Sequence, residues 1–171
     1  MKVPAFVSHP PSAIAGTSAQ PSRIPALSKM IEYPGDPTEI SRLLQDGNVD
    51  AAGRDAFGLG ALHKFMAWDK PDLVRLVLPY LDEAEINRLA GTDWQTPLHL
   101  AADAGAARAL ASLLEGCDGK CGRPALDFEV QNARGKRPLD VAREQGDERV
   151  IAALERASKD ASTGDNALML T

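Results

Sequence analysis

Four side chains of the sequence are candidates for catalysis or metal binding: Cys117, Cys121, His63 and His99. Cys117 and Cys121 lie four residues apart in a glycine-containing stretch, so they could supply half of a zinc site or form a redox-linked pair. A structural zinc site would need a second pair of Cys or His ligands. The simpler alternative is an inserted surface loop that contains two thiols. His63 and His99 are candidates for catalysis or metal ligation, but no nucleotide-binding glycine motif and no Gly-x-Ser-x-Gly motif accompanies them.

The composition favours close-packed helices. The 171 residues are 44% hydrophobic but only 5% aromatic, so a core must be built mostly from Ala, Leu and Val, whereas β-sandwich strands favour aromatic and β-branched residues. We therefore predict an all-α fold. No apolar run approaches the roughly 18 residues of a membrane-spanning helix. Two cysteines do not make a secreted disulfide framework, and we expect a cytoplasmic or nuclear protein in a reducing compartment.

Charge is distributed unevenly along the chain. The net charge of −5 argues against a dedicated nucleic-acid-binding protein, which usually carries a basic face. Of the 19 basic residues, three lie in residues 1–31, which hold no acid, and the other 16 share the rest of the chain with all 24 acidic residues. The Pro- and Ser-rich start is typical of a disordered tail, and its lack of acids also suits an organelle-targeting segment. We expect such a tail over 1–23, and a second disordered tail over 158–171.

Three segments of the chain resemble one another in sequence. Their first residues are Gly60, Thr96 and Arg137, so the starts are 36 and 41 residues apart. Each segment is followed by a second apolar stretch with helical spacing, which predicts a pair of helices in every unit. An entry unit precedes them. It has a short helix over 26–33, an N-cap at Asp36 and a second helix over 38–45.

The middle segment carries a specific resemblance to a known repeat. It runs Thr96-Pro-Leu-His-Leu-Ala-Ala-Asp-Ala-Gly105 and is followed by Leu113 and Leu114. This pattern resembles the ankyrin repeat, which is a unit of about 33 residues with a β-turn and two helices. The resemblance implies an all-α solenoid of helix-turn-helix units with β-turn tips over residues 24–157. The units would run roughly over 24–54, 55–90, 91–131 and 132–157. In this family the histidine is structural and bonds to the backbone of the adjoining turn, which is the role that the resemblance implies for His63 and His99.

The sequence departs from the family pattern at several positions. Trp94 stands where the family usually has a turn glycine, and Asp140 replaces the histidine in the last unit. Two links are longer than usual. We predict an extra helical turn in residues 79–90 and a surface loop in residues 115–124, which contain both cysteines.

The resemblance also implies a binding surface, because the family mostly binds proteins on a concave face of turn tips and inner helices. The matching positions are Phe57, Leu59 and Trp68 in the second unit, Asp93, Gln95 and Asp103 in the third, and Arg134, Lys136 and Glu144 in the fourth. The first three are large apolar residues at positions expected to face solvent, where clustered aromatics usually mark a binding site. Two alternatives stay open: the N-terminal tail covers them, or they pack against the longer link with Tyr80.

We therefore predict a non-catalytic protein-interaction module, an adaptor or scaffold whose partner is another protein. No cofactor, metal or catalytic residue is expected, and neither a nucleic-acid partner nor a membrane span. The alternatives are a structural subunit of a larger assembly and a redox-regulated protein that uses the Cys117/Cys121 loop. An organelle-targeted form of the module would be recognised by removal of its N-terminal segment.

Overall fold

The computed structural model describes residues 24–31, 35–117 and 125–168, and in these residues the chain is all-α, as predicted. Within them lie nine α-helices and one short 3-10 helix at Leu78–Tyr80, with isolated bridge pairs in place of β-strands. The helices are α1 (Leu27–Met30), α2 (Pro37–Gln45), α3 (Ala61–Ala67), α4 (Pro71–Val77), α5 (Glu83–Ile86), α6 (Pro97–Ala104), α7 (Ala107–Gly116), α8 (Pro138–Gln145) and α9 (Glu148–Leu168).

The helices pack in two layers. In one layer α1 packs on α3, α3 on α6 and α6 on α8. In the other, α2 packs on α4, α4 on α7 and α7 on α9. Each first-layer helix is followed in the chain by a helix of the second layer, so successive helix pairs lie side by side and each contacts the next.

Residues with suitable backbone preferences mark the helix ends. Asp36 caps α2 by accepting the backbone N–H of Thr38 at 2.9 Å, and Pro37 occupies the first helical position, as predicted. Thr96 caps α6 in the same manner through the N–H of His99. Gly105 ends α6 with φ of 65°, a left-handed conformation that glycine adopts without steric cost.

The core lies between the two layers and consists mainly of leucine. Its largest fully buried apolar side chains are Leu27, Leu62, Phe65, Met66, Leu73, Ile86, Leu98, Leu110, Leu113 and Leu154. Full burial of such a side chain contributes about 1.5–3 kcal/mol. Ala101 and Ala102 have no exposed surface, and their small size allows α6 to pack between α3 and α8.

Two segments, one between the second and third pairs and one at the end of the last pair, differ in outcome. The link over 79–90 contains the extra helical structure that was predicted, as the end of the 3-10 helix and as α5, which Asp82 caps by accepting the N–H of Glu85 at 2.8 Å. The prediction of disorder from residue 158 onwards is wrong as far as Leu168, because α9 continues to that residue. A helix whose first turns are packed on the core extends at little further cost, and the hydroxyl of Ser162 donates to the carbonyl of Ser158 at 3.0 Å.

Some predictions fall outside the described residues. They concern the N-terminal tail over 1–23, the last residues of the C-terminal tail, and most of the loop that contains Cys121. Within the described part of the chain, no helix combines the length and apolar character that crossing a bilayer requires.

Candidate protein-interaction surface

Three loops of similar construction precede the first-layer helices α3, α6 and α8. They comprise residues 55–60, 91–96 and 132–137. In the first, the Asp55 carboxylate accepts the N–H groups of Phe57 at 2.9 Å and Leu59 at 3.0 Å. In the third, the Asn132 side-chain oxygen accepts the N–H groups of Arg134 at 2.9 Å and Lys136 at 3.1 Å. In these two loops a side-chain oxygen of the first residue thus fixes the backbone of two others, which makes each of the two a defined turn.

Electrostatics keep the first of these loops ordered. Burial acts to raise the pKa of Asp55, but the backbone N–H of Phe57 and the side chain of Lys64 outweigh it and hold that pKa below its ordinary value. Lys64 Nζ lies 3.2 Å from the Asp55 carboxylate. Asp55 is therefore ionised near neutral pH and remains an acceptor for the loop.

Backbone hydrogen bonds join the loops to each other. The Gly91 N–H donates to the Phe57 carbonyl at 3.2 Å, and the Ala133 N–H donates to the Asp93 carbonyl at 2.9 Å. Counted from the cap residue of the following helix, Phe57, Asp93 and Arg134 occupy the same position in their loops. All three are exposed, and we call these three residues the tip row.

The buried histidines hydrogen-bond each helix pair to backbone that lies ahead of the next first-layer helix. His63 Nε2 lies 3.0 Å from the Arg88 carbonyl, and His99 Nε2 lies 2.8 Å from the Lys136 carbonyl. Because a carbonyl only accepts, Nε2 carries the proton, and Nδ1 accepts the N–H of Gly60 or Thr96. The predicted structural role of both histidines is confirmed by these bonds.

Burial of the two histidines lowers the pKa of each imidazole, since desolvation disfavours the charged form. Asp140 replaces histidine in the last helix pair, where its carboxylate accepts the Arg137 N–H at 3.1 Å. Hydrogen bonding from the Arg137 side chain holds the pKa of Asp140 below its ordinary value. The Asp140 carboxylate can accept the N–H at the head of α8 but cannot donate to a following loop as the histidines do. No such loop follows α8 in the described residues.

The apolar residues predicted for this surface separate in the structure. Phe57 is 70% exposed, whereas Leu59 is half-buried. Trp68 is half-buried too, with its ring centroid 6.3 Å from that of Phe65 and the two rings tilted by 59°. Trp68 therefore lies against Phe65 of α3, a contact that neither alternative predicted, and it does not face solvent as fully as expected. Tyr80, on the longer link, is 48% exposed.

The polar residues predicted for this surface divide in a similar way. Gln95 is only 9% exposed, so its expected place on the surface is wrong. It follows a loop tip and pairs with Ala90, and its N–H donates to the Ala90 carbonyl at 2.8 Å. Asp93 and Arg134 form an exposed ion pair at 3.6 Å.

Residues at the ends of α6 and α8 extend the tip row. The exposed Asp103 accepts a hydrogen bond from Gln145 at 2.7 Å, and Lys136 forms an ion pair with Glu144. Both pairs lie near the solvent. Exposed pairs of this kind contribute little stability, about 0–1 kcal/mol each, so their side chains can be redirected to a partner at small cost.

Sequence reasoning left Trp94 out of the predicted surface. This residue is 61% exposed and has φ of 51°. Its position corresponds to Gly58 and Gly135 in the other two loops, which have φ of 77° and 71°. The signal was present in the sequence, because a tryptophan stands where a turn glycine is expected.

Of the Cys117/Cys121 pair, the described residues include only Cys117. Cys117 is buried at the end of α7, and Cys121 lies outside the described residues. Among the described residues there is also no group of three or more His, Cys, Asp or Glu side chains placed to hold a metal ion.

An open groove lies on another part of the molecule, between α5, residues 125–129 and α9. Its volume is about 660 Å³. Leu126 and Phe128 line it together with the carboxylates of Glu83 and Asp127. None of the residues predicted for protein binding lies in this groove.

Comparison with known proteins gives no assignment. No family model matches the chain, and no curated protein matches it.

Proposed function

We propose that this chain is a non-catalytic protein-interaction module of the ankyrin-repeat type, which binds a partner protein through the tip row and the adjoining ends of α6 and α8. The observation that carries the proposal is the matching placement of Phe57, Asp93 and Arg134. They are exposed at equivalent positions of three loops, and backbone hydrogen bonds join those loops.

The repeated connection between helix pairs supports the ankyrin-repeat type. A histidine Nε2 in each case bonds to a backbone carbonyl ahead of the next first-layer helix, from α3 to residue 88 before the second loop and from α6 to residue 136 within the third loop. This is the role that the sequence resemblance implies for the two histidines. The two helix layers, in which each pair contacts the next, are the packing expected of stacked repeats.

The chemistry of the tip row supports protein binding. It presents an aromatic ring, a carboxylate and a guanidinium on backbone that is already ordered, so few backbone conformations are lost when a partner binds. Exposed aromatic and arginine side chains are the types that most often dominate binding energy at protein interfaces. The overall negative charge of the chain favours a partner with a basic or neutral contact surface.

The test is quantitative capture of binding proteins from a lysate of the source organism, with wild type and Phe57→Asp as baits. Tyr80→Asp is the matched control, because Tyr80 is also an exposed aromatic but lies in the 3-10 helix outside the loops. Circular dichroism of all three baits checks that they are folded. A captured protein is then purified, and its Kd for each bait is measured by calorimetry.

We expect Phe57→Asp to weaken binding at least tenfold, which is about 1.4 kcal/mol, and Tyr80→Asp to leave the Kd unchanged. Equal binding by wild type and Phe57→Asp would refute the assigned surface. If wild type retains no protein, the interaction role itself is wrong. The size of the purified complex separates an adaptor, which exchanges partners, from a permanent subunit of a larger assembly.

A further inference from the structure

The exposed rings of Phe57 and Trp94 have a candidate occupant within this chain. We propose that residues 1–23 bind across these two rings and so compete with the partner for one end of the surface. The proposal rests on the proposed function, because it assigns an occupant to the same loops. It identifies the N-terminal segment as an intramolecular ligand that regulates access to them.

Trp94 provides the first argument. A bulky side chain with positive φ is an uncommon and unfavourable conformation, which the corresponding residues of the neighbouring loops avoid by being glycine. With 61% of its surface exposed, the Trp94 side chain recovers little of this cost by packing on the described residues. Local strain of this kind is concentrated at binding sites, where a ligand makes use of the strained residue.

The backbone places the two aromatic residues on adjoining loops. Gly91 lies between them, since its N–H donates to the Phe57 carbonyl at 3.2 Å and its carbonyl accepts the Trp94 N–H at 3.3 Å. Both side chains are exposed, Phe57 by 70%. Two exposed aromatic side chains on neighbouring, hydrogen-bonded turns are a surface feature of the kind that usually contacts a ligand.

The N-terminal segment has a matching composition. Residues 1–23 contain four prolines, at positions 4, 10, 11 and 21, together with Phe6 and no acidic residue. Proline-rich segments bind to aromatic surfaces because their extended conformation is already populated before binding. With Lys2 and Arg23 the segment carries two positive charges, whereas the remaining 148 residues carry 17 basic and 24 acidic side chains. Long-range attraction therefore favours its binding to the rest of the chain.

The entry point and the length of the segment permit this placement. The described chain starts at Ile24, and the Pro25 carbonyl accepts the Asp50 N–H at 3.0 Å. That contact lies just ahead of the first loop, at the end of the row of loops. Neighbouring helices pack about 10 Å apart, so Trp94 lies roughly two such spacings from Ile24. In a polyproline II conformation 23 residues extend to about 70 Å, which is more than enough to span this distance.

The experiment measures solvent access to Trp94 in the full-length chain. The variant Trp68→Phe leaves Trp94 as the single tryptophan, and its fluorescence is quenched with acrylamide. A second chain of equal length has residues 1–23 replaced by glycine and serine. We expect the Stern–Volmer constant to be at least twofold larger in the replaced chain. Equal constants would overturn the proposal, and so would protection that weakens on dilution, since that would identify a second copy as the occupant.

Trp68 packs on Phe65, so the Trp68→Phe background needs a check of its fold. If it does not fold, the same comparison is made by ¹⁹F NMR of 5-fluorotryptophan in chains that retain both tryptophans, with the Trp94 signal identified by Trp94→Gly. Glycine is the residue at this position in the neighbouring loops, so this variant should fold. We expect replacement of residues 1–23 to shift the Trp94 signal and leave the Trp68 signal in place. An unshifted Trp94 signal would overturn the proposal.

The outcome separates this inference from the proposed function. Capture of the partner by the replaced chain is measured in parallel, with Phe57→Asp introduced into that chain as the control. If Trp94 is equally accessible in both chains while Phe57-dependent capture persists, the intramolecular ligand is wrong and the interaction role stands. If the replaced chain captures nothing through Phe57 although Trp94 becomes more accessible, the interaction role is wrong and the intramolecular contact stands.

Discussion

The hydrogen bonds of His99 join α6 to the loop before α8, and we predict that His99→Ala lowers the free energy of unfolding by about 2–4 kcal/mol. His99 has no exposed surface. Its Nε2 donates to the Lys136 carbonyl at 2.8 Å, and its Nδ1 accepts the Thr96 N–H at 3.2 Å. The bonds thus act both within one helix pair and between pairs.

The magnitude follows from what each bond partner keeps. The Lys136 carbonyl retains a hydrogen bond from the Asn132 N–H at 3.0 Å. Removal of the His99 bond to this carbonyl therefore lowers the free energy of unfolding by the value of one net hydrogen bond, about 1 kcal/mol. The Thr96 N–H has no second acceptor among the described residues, and Thr96 is only 2% exposed. A buried donor left without a partner costs about 1–3 kcal/mol.

The assay is urea unfolding at pH 7.5, followed by circular dichroism at 222 nm, on wild type, His99→Ala and Asp140→Ala. Asp140 occupies the corresponding position of the last helix pair and accepts the Arg137 N–H at 3.1 Å, but it joins no further loop in the described residues. Loss of such a cap costs about 1 kcal/mol. His99→Ala should therefore be at least 1 kcal/mol more destabilising than Asp140→Ala.

Two results would refute this reasoning. If His99→Ala costs no more than Asp140→Ala, the bond between helix pairs contributes nothing measurable to stability. If His99→Leu is as stable as wild type, the loss in His99→Ala comes from the empty volume rather than from the hydrogen bonds, because leucine fills the site without a polar atom.

Two further predictions concern pH and a cap between helix pairs. Burial lowers the pKa of His63 and His99 in the fold, so below about pH 6.5 the unfolded chain binds more protons than the folded chain. The free energy of unfolding is therefore highest above that pH and falls below it, by up to about 1.4 kcal/mol per pH unit for each histidine. Urea unfolding between pH 8 and 5 measures this dependence, and a flat profile would contradict it. The Asp69 carboxylate accepts the Ala109 N–H of α7 at 2.8 Å, and Asp69 has φ of 50°. We expect Asp69→Ala to lower the free energy of unfolding by about 1–2 kcal/mol. Asp69→Asn, which keeps an acceptor, should lose less, and equal losses would show that the cap is not the cause.

Much of the helical framework follows from local sequence. Pro37, Pro97 and Pro138 start helices because proline lacks the N–H that the first turn leaves unbonded. Asp36 and Thr96 cap helices because their side-chain oxygens reach the N–H groups of the next turn. These are interactions between residues at most three positions apart, so the residue types and their spacing suffice to predict them.

The candidate surface could be predicted only in part. Phe57, Asp93 and Arg134 are exposed as their loop positions suggest, but Gln95 and Trp68, assigned in the same way, are buried or half-buried. Position in a repeat indicates where the backbone goes, whereas the exposure of a side chain depends on the residues that surround it in space.

The all-α class, most helix starts and the histidines at the heads of α3 and α6 follow from the order of the residues, because they depend on propensity, capping and periodicity along the chain. The packing of Trp68 on Phe65, the exposure of Phe57 and the cap that Asp69 gives a helix some 40 residues later depend on the folded arrangement. Burial and bonding between distant residues are set by which surfaces the folded helices bring together.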